Sequence, residues 1–425
     1  MEPFGARRPT DMTVALVVFA LTYLAIAAGR VPYLSLDRPA TALLGAVLMV
    51  AAGVLSPGQA GAAVNGDTLG LLLGMMVLAA YLTEAGFFRW ASWKVVTSVS
   101  TPRALLWGLV LSAGALSAFL VNDTVCLMMT PLVLRIVDDA ELPPIPFLLA
   151  VAFGSNAGSA ATLTGNPQNM IVGTLSGISY LRFASALALP AAASLVTVAG
   201  LLHLMFRKVL PRRPLAAAGH LPRPGVDRAL LWKALLSTML VLVGFLCGLP
   251  LAWTALAGAA LAMAVGGRAP REALMRVDWP LLLFFGGLFV VVAGVARSGA
   301  AERMHESLAP FLGHGAVRQA GAFSIFTVLA SQVVSNVPFV LLAGEWIPRL
   351  AEPTFLWLAT ALAATLAGNL TVVGSVANLI VLELAGERGR IGFWRFSGYG
   401  AVVTTATLLI SLTILVLERS LGWLG

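Results

Sequence analysis

Long apolar segments alternate with short polar ones along the whole chain, and most approach the ~20 residues that a helix needs to cross a bilayer. The clearest of them cover residues 13–29, 40–55, 69–83, 104–121, 184–206, 234–249, 251–265, 280–296 and 401–417. Two further segments, near 150–177 and 355–384, are apolar but interrupted by Gly and Asn, and the first also by Pro167. The pattern predicts an all-α polytopic membrane protein with about ten spans.

Composition supports this class. Hydrophobic residues make up 59% of the 425 residues and charged residues only 11%, against about 25% charged in soluble domains. The net charge of +8 is concentrated in one stretch, 207–233, which has seven basic residues, one acid and several prolines. Under the positive-inside rule this stretch is expected to be a cytoplasmic linker. No nucleic-acid partner is expected, since the basic residues are explained by membrane topology.

The same interruptions occur twice. Asn336 stands 214 positions after Asn122, and Asn378 stands 209 positions after Asn169, so the chain reads as one duplication. The first repeat is expected at 1–206, with a hairpin near 104–136 and a broken helix near 150–177. After the linker at 207–233, the second repeat is expected at 234–425, with a hairpin near 320–350 and a broken helix near 355–384.

Loop charges predict opposite orientations for the two repeats. The loop at 56–67 has no basic residue, whereas its counterpart at 267–279 has three arginines, so the two should lie on opposite sides of the membrane. Each inverted repeat would contain about five transmembrane helices and one re-entrant hairpin. This scheme puts both termini outside, which Arg7 and Arg8 disfavour. Between residues 87 and 103, tryptophans stand beside basic residues, which predicts a helix along the membrane surface.

Asp123 is the only ionisable residue in the middle of the first hairpin, between Asn122 and Thr124. A carboxylate at membrane depth is costly and is by default a functional-site hypothesis, here a proton-coupling group or a ligand for a cation. The alternative is that it caps the second arm of the hairpin. The second copy has Asn336 followed by Val337, so only the first hairpin contains an acid.

Polar residues and helix breakers at membrane depth persist where they line a cavity, and a duplicated pair of them indicates a transporter's binding site. Opened backbone carbonyls with Asn and Thr oxygens suit a hard cation, and half-helix N-termini suit an anion. The spacing of Gly154 and Gly158 also fits simple helix packing, although the nearby Asn166 and Asn169 favour a role at the break. The substrate and ion site is expected to include Asn122, Asp123, Thr124, Asn156, Thr164, Gly165, Asn166, Asn169, Ser335, Asn336, Asn369, Thr371, Gly374, Ser375 and Asn378.

Signatures of other functions are missing from the sequence. The four histidines have no metal-ligand spacing, no Gly-x-x-x-x-Gly-Lys loop is present, and Ser, His and acidic residues show no triad arrangement. We therefore expect no enzyme, no metal site and no cofactor other than a coupling ion, H⁺ or Na⁺.

These motifs resemble the ion transporter superfamily, which includes arsenite permeases and divalent-anion:sodium symporters. The segment 119–131 is similar to the family's first hairpin, although Val121 and Asp123 replace the Ser and Thr of its Ser-Asn-Thr tip, and the Asn-Asp form is closer to arsenite permeases. Segment 162–169 is similar to the family's Thr-Gly-Thr-Pro-Pro-Asn element, and segments 368–378, 71–76 and 281–287 fit the arsenite-permease branch. The resemblance implies a two-hairpin transport domain moving against a scaffold, with substrate and ion near the midplane, and it implies a homodimer.

The resulting functional expectation is a secondary transporter in the bacterial inner membrane that moves a small anion or metalloid oxyanion of the arsenite or antimonite type, coupled to protons. A sodium-coupled di- or tricarboxylate or inorganic anion symporter and a sodium/proton antiporter relative are the alternatives. A soluble ATPase subunit is compatible with an arsenite-type permease, but nothing in the sequence requires one. The loss of Ser and Thr around Asn122 weakens the case for the family's first sodium site.

Overall fold

The computed structural model describes residues 9–28, 36–211, 214 and 223–424, and within these ranges it contains helices and connecting segments without a strand. The all-α prediction is confirmed. Arg7, Arg8 and most of the proline-rich part of the linker lie outside the described residues. The predicted linker at 207–233 extends too far at its end. A helix begins at Arg228, and Asp227 caps its first turn.

The helices fall into two series of ten in the described part of the chain. The first series is α1 (Pro9–Ala28), α2 (Arg38–Ala51), α3 (Pro57–Ala63), α4 (Gly66–Glu84), α5 (Phe87–Thr97), α6 (Pro102–Phe119), α7 (Asn122–Asp139), α8 (Pro144–Ser159), α9 (Pro167–Ser176) and α10 (Tyr180–Phe206). The second is α11 (Arg228–Leu246), α12 (Leu251–Val265), α13 (Pro270–Leu274), α14 (Trp279–Ser298), α15 (Ala300–Leu312), α16 (Ala316–Val334), α17 (Asn336–Ala343), α18 (Pro353–Ala367), α19 (Val376–Ala385) and α20 (Phe393–Ser420).

The two series are related by inversion. Helices α10 and α20 hold the same place in their series and run antiparallel: the ring centroids of Phe206 and Tyr399, at the end of α10 and the start of α20, lie 5.1 Å apart. At mid-length the Ser194 and Ser411 hydroxyls are 2.7 Å apart. Equivalent helices that run antiparallel require a pseudo-twofold axis perpendicular to them, which is the arrangement of an inverted-repeat transporter.

Seven of the described helices are long and apolar enough to cross a membrane, namely α4, α6, α10, α11, α14, α16 and α20. Helices α1, α2, α12 and α18 are apolar over shorter lengths. The outer faces expose large hydrophobic side chains, including Trp253 and Leu409 at 71% and 62%. In water such a surface would be an association liability, whereas in a bilayer it is the expected lipid-facing surface.

Close helix packing explains two glycines that the sequence analysis placed near the site. A Cβ on Gly154 would lie 2.7 Å from the carbonyl oxygen of Val110, and a Cβ on Gly158 would overlap the backbone of Gly114. These glycines therefore let α8 approach α6. The contacts support the packing interpretation of their spacing.

Helices of the two series also pack against each other to form one unit. Helix α4 of the first series packs on α12 of the second, and α14 packs reciprocally on α2. The amphipathic helix α5 contacts α4, α6 and α7. It thus joins this α2–α4–α12–α14 unit to the first hairpin.

Candidate functional site

Each series contains a helical hairpin whose tip interrupts the apolar core. In the first, α6 ends at Phe119, and α7 starts at Asn122 after the two non-helical residues Leu120 and Val121. In the second, the single residue Ser335 separates α16 from α17 with φ 70° and ψ 159°. This backbone conformation is normally restricted to glycine, and strain of this kind clusters at functional sites.

The two broken helices are closed in the same way. Between α8 and α9, the Asn169 carboxamide donates to the carbonyl oxygens of Ser159 and Thr162, at 3.1 and 3.0 Å. Between α18 and α19, Asn378 donates to those of Gly368 and Thr371, at 2.7 and 3.0 Å. Residues 159, 162 and 169 correspond to 368, 371 and 378 at the offset of 209. Four of the opened carbonyls that the sequence analysis offered to a cation therefore already accept hydrogen bonds from these two carboxamides.

The N-termini of the half-helices are also capped by matching residues. Asn166 accepts from the backbone N–H of Asn169 at 2.9 Å, and Ser375 accepts from the N–H of Ala377 at 3.2 Å. Gly165 lies one residue before the first cap, and its carbonyl oxygen accepts from the backbone N–H of Asn122 at 3.0 Å. The first hairpin tip is thus attached directly to the first break.

Two buried residues connect the repeats to each other. Asn156 on α8 donates to the carboxamide oxygens of Asn369 and Asn378, at 2.9 and 3.2 Å. Thr365 on α18 donates to that of Asn169 at 3.3 Å and accepts from Asn166 at 3.2 Å. Asn156 and Thr365 are also 209 positions apart, so each repeat sends one polar side chain into the other's break.

Asn156 joins this network to the hairpin tip. Its carboxamide oxygen accepts from the Asn122 carboxamide at 3.1 Å and from the Ser375 hydroxyl at 3.0 Å. On the other hairpin, Gln332 of α16 donates to the carbonyl oxygen of Ala367 at 3.0 Å and accepts from the Thr371 hydroxyl at 2.8 Å. Both hairpins are therefore hydrogen-bonded to the broken helices.

A cavity of about 350 Å³ lies where the two hairpin tips and the two half-helix N-termini meet. Its wall also includes the starts of α2 and α14. The residues of the expected site that line it are Asn122, Asp123, Ser335, Asn336, Gly374 and Ser375.

The charged groups on the cavity wall are mainly acidic. Asp123 comes from the hairpin, and Asp37 and Asp278 come from the starts of α2 and α14; Arg38 is the one cation among the described lining residues. Asp37 and Asp278 cap their helices, accepting from backbone N–H groups at 2.9 and 3.0 Å. Half-buried Asp123 makes no hydrogen bond or ion pair through its side chain with any described residue, so its carboxyl group is available to a ligand or proton.

Three buried carboxamide atoms have no hydrogen-bond partner in the described structure: Asn122 Oδ1, Asn336 Oδ1 and Asn369 Nδ2. The first two belong to the hairpin tips and to residues that line the cavity. A buried acceptor without a donor costs about 1–3 kcal/mol. An O–H donor or a cation supplied by a ligand would remove this cost at either oxygen.

The expected site therefore divides into two layers. Behind the cavity-lining residues lies the network just described, which contains Asn156, Gly165, Asn166, Asn169, Asn369, Thr371 and Asn378. Thr164 is connected to the network through Thr162, since the Thr164 hydroxyl is buried 3.3 Å from the hydroxyls of both Thr162 and Tyr180. Thr124 joins neither layer, because its side chain has no hydrogen bond in the described structure.

Sequence reasoning missed several residues of the site. Thr365 and Gln332 belong to the network, and Asp37, Asp278 and Gln168 belong to the cavity wall. The 209-residue offset from Asn156 was a signal for Thr365. The aspartates start helices far along the chain from either hairpin, and only the packing of α2 and α14 brings them to the tips.

Comparisons with known proteins agree with this architecture. The sequence model of a family described as citrate transporters matches residues 15–354. The silicon efflux transporter LSI3 of Oryza sativa is 31% identical, with 94% of this chain and 96% of that protein covered. An uncharacterized transporter of Mycobacterium tuberculosis is also 31% identical over the same shares.

Two further matches, one of them a solved structure, are less similar in sequence. A putative transporter arsB of Dictyostelium discoideum is 27% identical, covering 94% of this chain and 92% of that protein. The YdaH transporter of Alcanivorax borkumensis, described as having an unusual topology, matches at a TM-score of 0.56 and 18% identity, covering 98% of this chain and 99% of that one. This last likeness concerns the fold alone.

Proposed function

Because this multi-pass membrane transporter belongs to the citrate transporter family of the ion transporter superfamily, we propose that it carries a small metalloid acid of the arsenite or antimonite type in exchange for protons. The transport domain would consist of the two hairpins and two broken helices. It would move against the α2–α4–α12–α14 unit, exposing the cavity alternately to each side of the bacterial inner membrane with the basic linker in the cytoplasm.

The observation that carries the proposal is the pair of unpartnered carboxamide oxygens, Asn122 Oδ1 and Asn336 Oδ1, in a wall that also contains Asp37, Asp123 and Asp278. An acidic wall with unsatisfied acceptors disfavours a polyanion. Arsenite is mostly an uncharged trihydroxide at neutral pH, and its O–H groups can donate to both oxygens. The names of the silicon and arsB relatives fit this chemistry.

Asp123 is the proposed proton-coupling group. It is an acid on the moving hairpin, it lines the cavity, and no described cation pairs with it. Its protonation would remove a charge from the site at one step of the cycle. No ATPase subunit is needed, since a proton gradient would supply the driving force. Of the two hairpin tips only the first contains an acid, so proton coupling by a hairpin residue is proposed for the first hairpin alone.

A sodium-coupled carboxylate or inorganic anion symporter is the second candidate. The description of the matched family favours it, and two carboxamide oxygens beside a carboxylate are ligands that a hard cation accepts. Bound sodium would offset the acidic wall and allow an anion such as citrate to enter. The two candidates differ in the ion that drives uptake.

Proteoliposomes containing the full chain test the proposal. Arsenite and citrate uptake would be measured under an imposed proton or sodium gradient, with Asp123→Asn, Asn122→Ala and Asn336→Ala compared with Thr124→Ala as the control. We expect proton-driven arsenite flux that Asp123→Asn abolishes. Each Asn variant should weaken apparent affinity by about tenfold, the equivalent of ~1.4 kcal/mol.

Other outcomes would contradict the proposal. Sodium-driven citrate uptake that is unaffected by Asp123→Asn would favour the symporter. Sodium/proton exchange without flux of either substrate would favour a cation antiporter. Equal leak in the wild type and in the Asn122 and Asn336 variants would show that the cavity transports neither substrate.

A further inference from the structure

A second cavity, of about 440 Å³, lies away from the transport site, between α5, α7 and the segment that leads into α11. Each of these elements contributes one arginine to its wall: Arg89 from α5, Arg135 from α7 and Arg223 from the linker. All three residues are exposed. This clustering is not required by the positive-inside rule, which concerns only the side of the membrane.

The three guanidinium groups have no carboxylate partner among the described residues. The nearby acids on α7 and the linker are engaged elsewhere: Asp138 pairs with Arg388, and Asp227 pairs with Arg268 at 3.1 Å. Asp139, four residues after Arg135, forms no ion pair with it. Three like charges around one cavity repel each other, and an anion between them would relieve that repulsion.

The rest of the wall is apolar. Leu127, Met128, Pro131 and Leu132 of α7 form one side, and the Leu127 side chain is 42% exposed. On α5, the Trp93 ring lies 5.9 Å from the Arg223 guanidinium, a cation–π contact. A basic rim over an apolar wall, beside an amphipathic helix with tryptophans, matches a phospholipid with its phosphate outside and its acyl chains along the helix.

The cavity also connects elements that belong to different units. The linker is attached to the α4–α5 turn: the backbone N–H of Asp227 donates to the Ala85 carbonyl oxygen at 3.1 Å. Gly86, at φ +85°, leaves room for the linker, because a Cβ there would lie 2.8 Å from the Gly225 carbonyl oxygen. Arg135, in contrast, belongs to α7, the second arm of the first hairpin, which starts at Asn122.

We propose that this cavity binds the headgroup of an anionic phospholipid, held by Arg89, Arg135 and Arg223. The phosphate would bridge the linker and α5 to α7, and the acyl chains would lie on the exposed apolar face of α7. The site is independent of the transported substrate, so its test does not depend on the proposed function.

Native mass spectrometry of the full chain in detergent would measure binding of phosphatidylglycerol and, for comparison, phosphatidylcholine with the same acyl chains. Arg89→Gln, Arg135→Gln and Arg223→Gln would be combined. The matched control combines Arg271→Gln, Arg276→Gln and Arg303→Gln, which removes three exposed arginines outside the cavity. We expect phosphatidylglycerol affinity to fall roughly a hundredfold in the cavity variant, at about a factor of five per charge, and to change little in the control.

If the triple variant does not fold, Arg135→Gln alone should weaken binding about fivefold, and Arg135→Lys should retain most of it. An equal loss in the control variant would overturn the proposal, since binding would then reflect overall surface charge. Displacement of phosphatidylglycerol by excess inorganic phosphate, with the same dependence on the three arginines, would assign the site to a free anion instead. Equal affinity for phosphatidylcholine would also refute it.

Discussion

Replacement of Asn156 by alanine tests the connection between the two repeats. The Asn156 carboxamide makes four hydrogen bonds: it donates to Asn369 and Asn378 and accepts from Asn122 and Ser375. Asn156 is 2% exposed, and Asn369 and Asn378 are fully buried. The substitution would leave buried amide groups without partners in both repeats at once.

The expected loss follows from the count of these bonds. At about 1 kcal/mol net per hydrogen bond, four bonds amount to ~4 kcal/mol. Water in the adjacent cavity can reach Asn122 and Ser375, which line it, so we expect a loss of about 3 kcal/mol. Thr365→Val removes two bonds with little change in volume and should cost about 1–2 kcal/mol.

The assay is reversible unfolding in mixed micelles, titrated with a denaturing detergent and followed by tryptophan fluorescence. Thr124→Ala is the control, since this half-buried side chain has no described hydrogen bond, and its expected effect is within about 0.5 kcal/mol. The reasoning is refuted if Asn156→Ala costs no more than Thr365→Val. It is also refuted if Asn156→Ala lies within the range of the control.

Three further predictions concern stability. Gly158→Ala should lower the melting temperature and cost about 2 kcal/mol of stability, because its Cβ would overlap the backbone of Gly114. The control Gly200→Ala, with open space around it, should be neutral or stabilising. Equal effects of the two substitutions would contradict the packing role. Ser335→Gly should raise the free energy of unfolding by about 1 kcal/mol, because glycine relieves the strained φ of 70°. A lower free energy of unfolding in this variant would contradict the strain argument. The Arg419 hydrogen bond holds the pKa of the Glu352 carboxyl below its usual range, so Glu352→Gln should lower the free energy of unfolding by less than about 1 kcal/mol at neutral pH. The difference in stability between the variant and the wild type should vanish as the pH falls through that depressed pKa. A stability difference that persists in acid would refute this prediction.

The sign of the Glu352 effect follows from proton linkage. A carboxyl group whose folded-state pKa is lowered binds its proton less tightly than in the unfolded chain, so its contribution is present above the unfolded pKa. It is lost as the pH falls through the folded pKa. The pair is partly exposed, with side-chain exposures of 33% for Arg419 and 49% for Glu352, so solvent screening keeps its contribution small.

The hydrophobic pattern was sufficient to predict the fold class and the places where helices break. A span must satisfy its own backbone hydrogen bonds in lipid, so its length and its interruptions are visible locally in the chain. The breaks predicted near 150–177 and 355–384 are the gaps that separate α8 from α9 and α18 from α19. The duplicated Asn pairs likewise marked both hairpin tips. The membrane side of the linker and the roles of the site residues remain predictions.

Tertiary structure alone decided which of these polar residues face the cavity. Local sequence does not show that Asn169 and Asn378 donate their hydrogen bonds to carbonyl oxygens of their own broken helices. Nor does it show that Asn122 and Asn336 each retain a carboxamide oxygen without a described partner. These outcomes depend on contacts across about 200 positions of chain. The sequence by itself thus determined a duplicated helical transporter with broken helices and one acidic tip. Only the packing of the two inverted repeats, with Asp37 and Asp278 at the starts of distant helices, decided the shape and charge of the cavity, because hydrogen-bond partners and electrostatic neighbours are set by position in space.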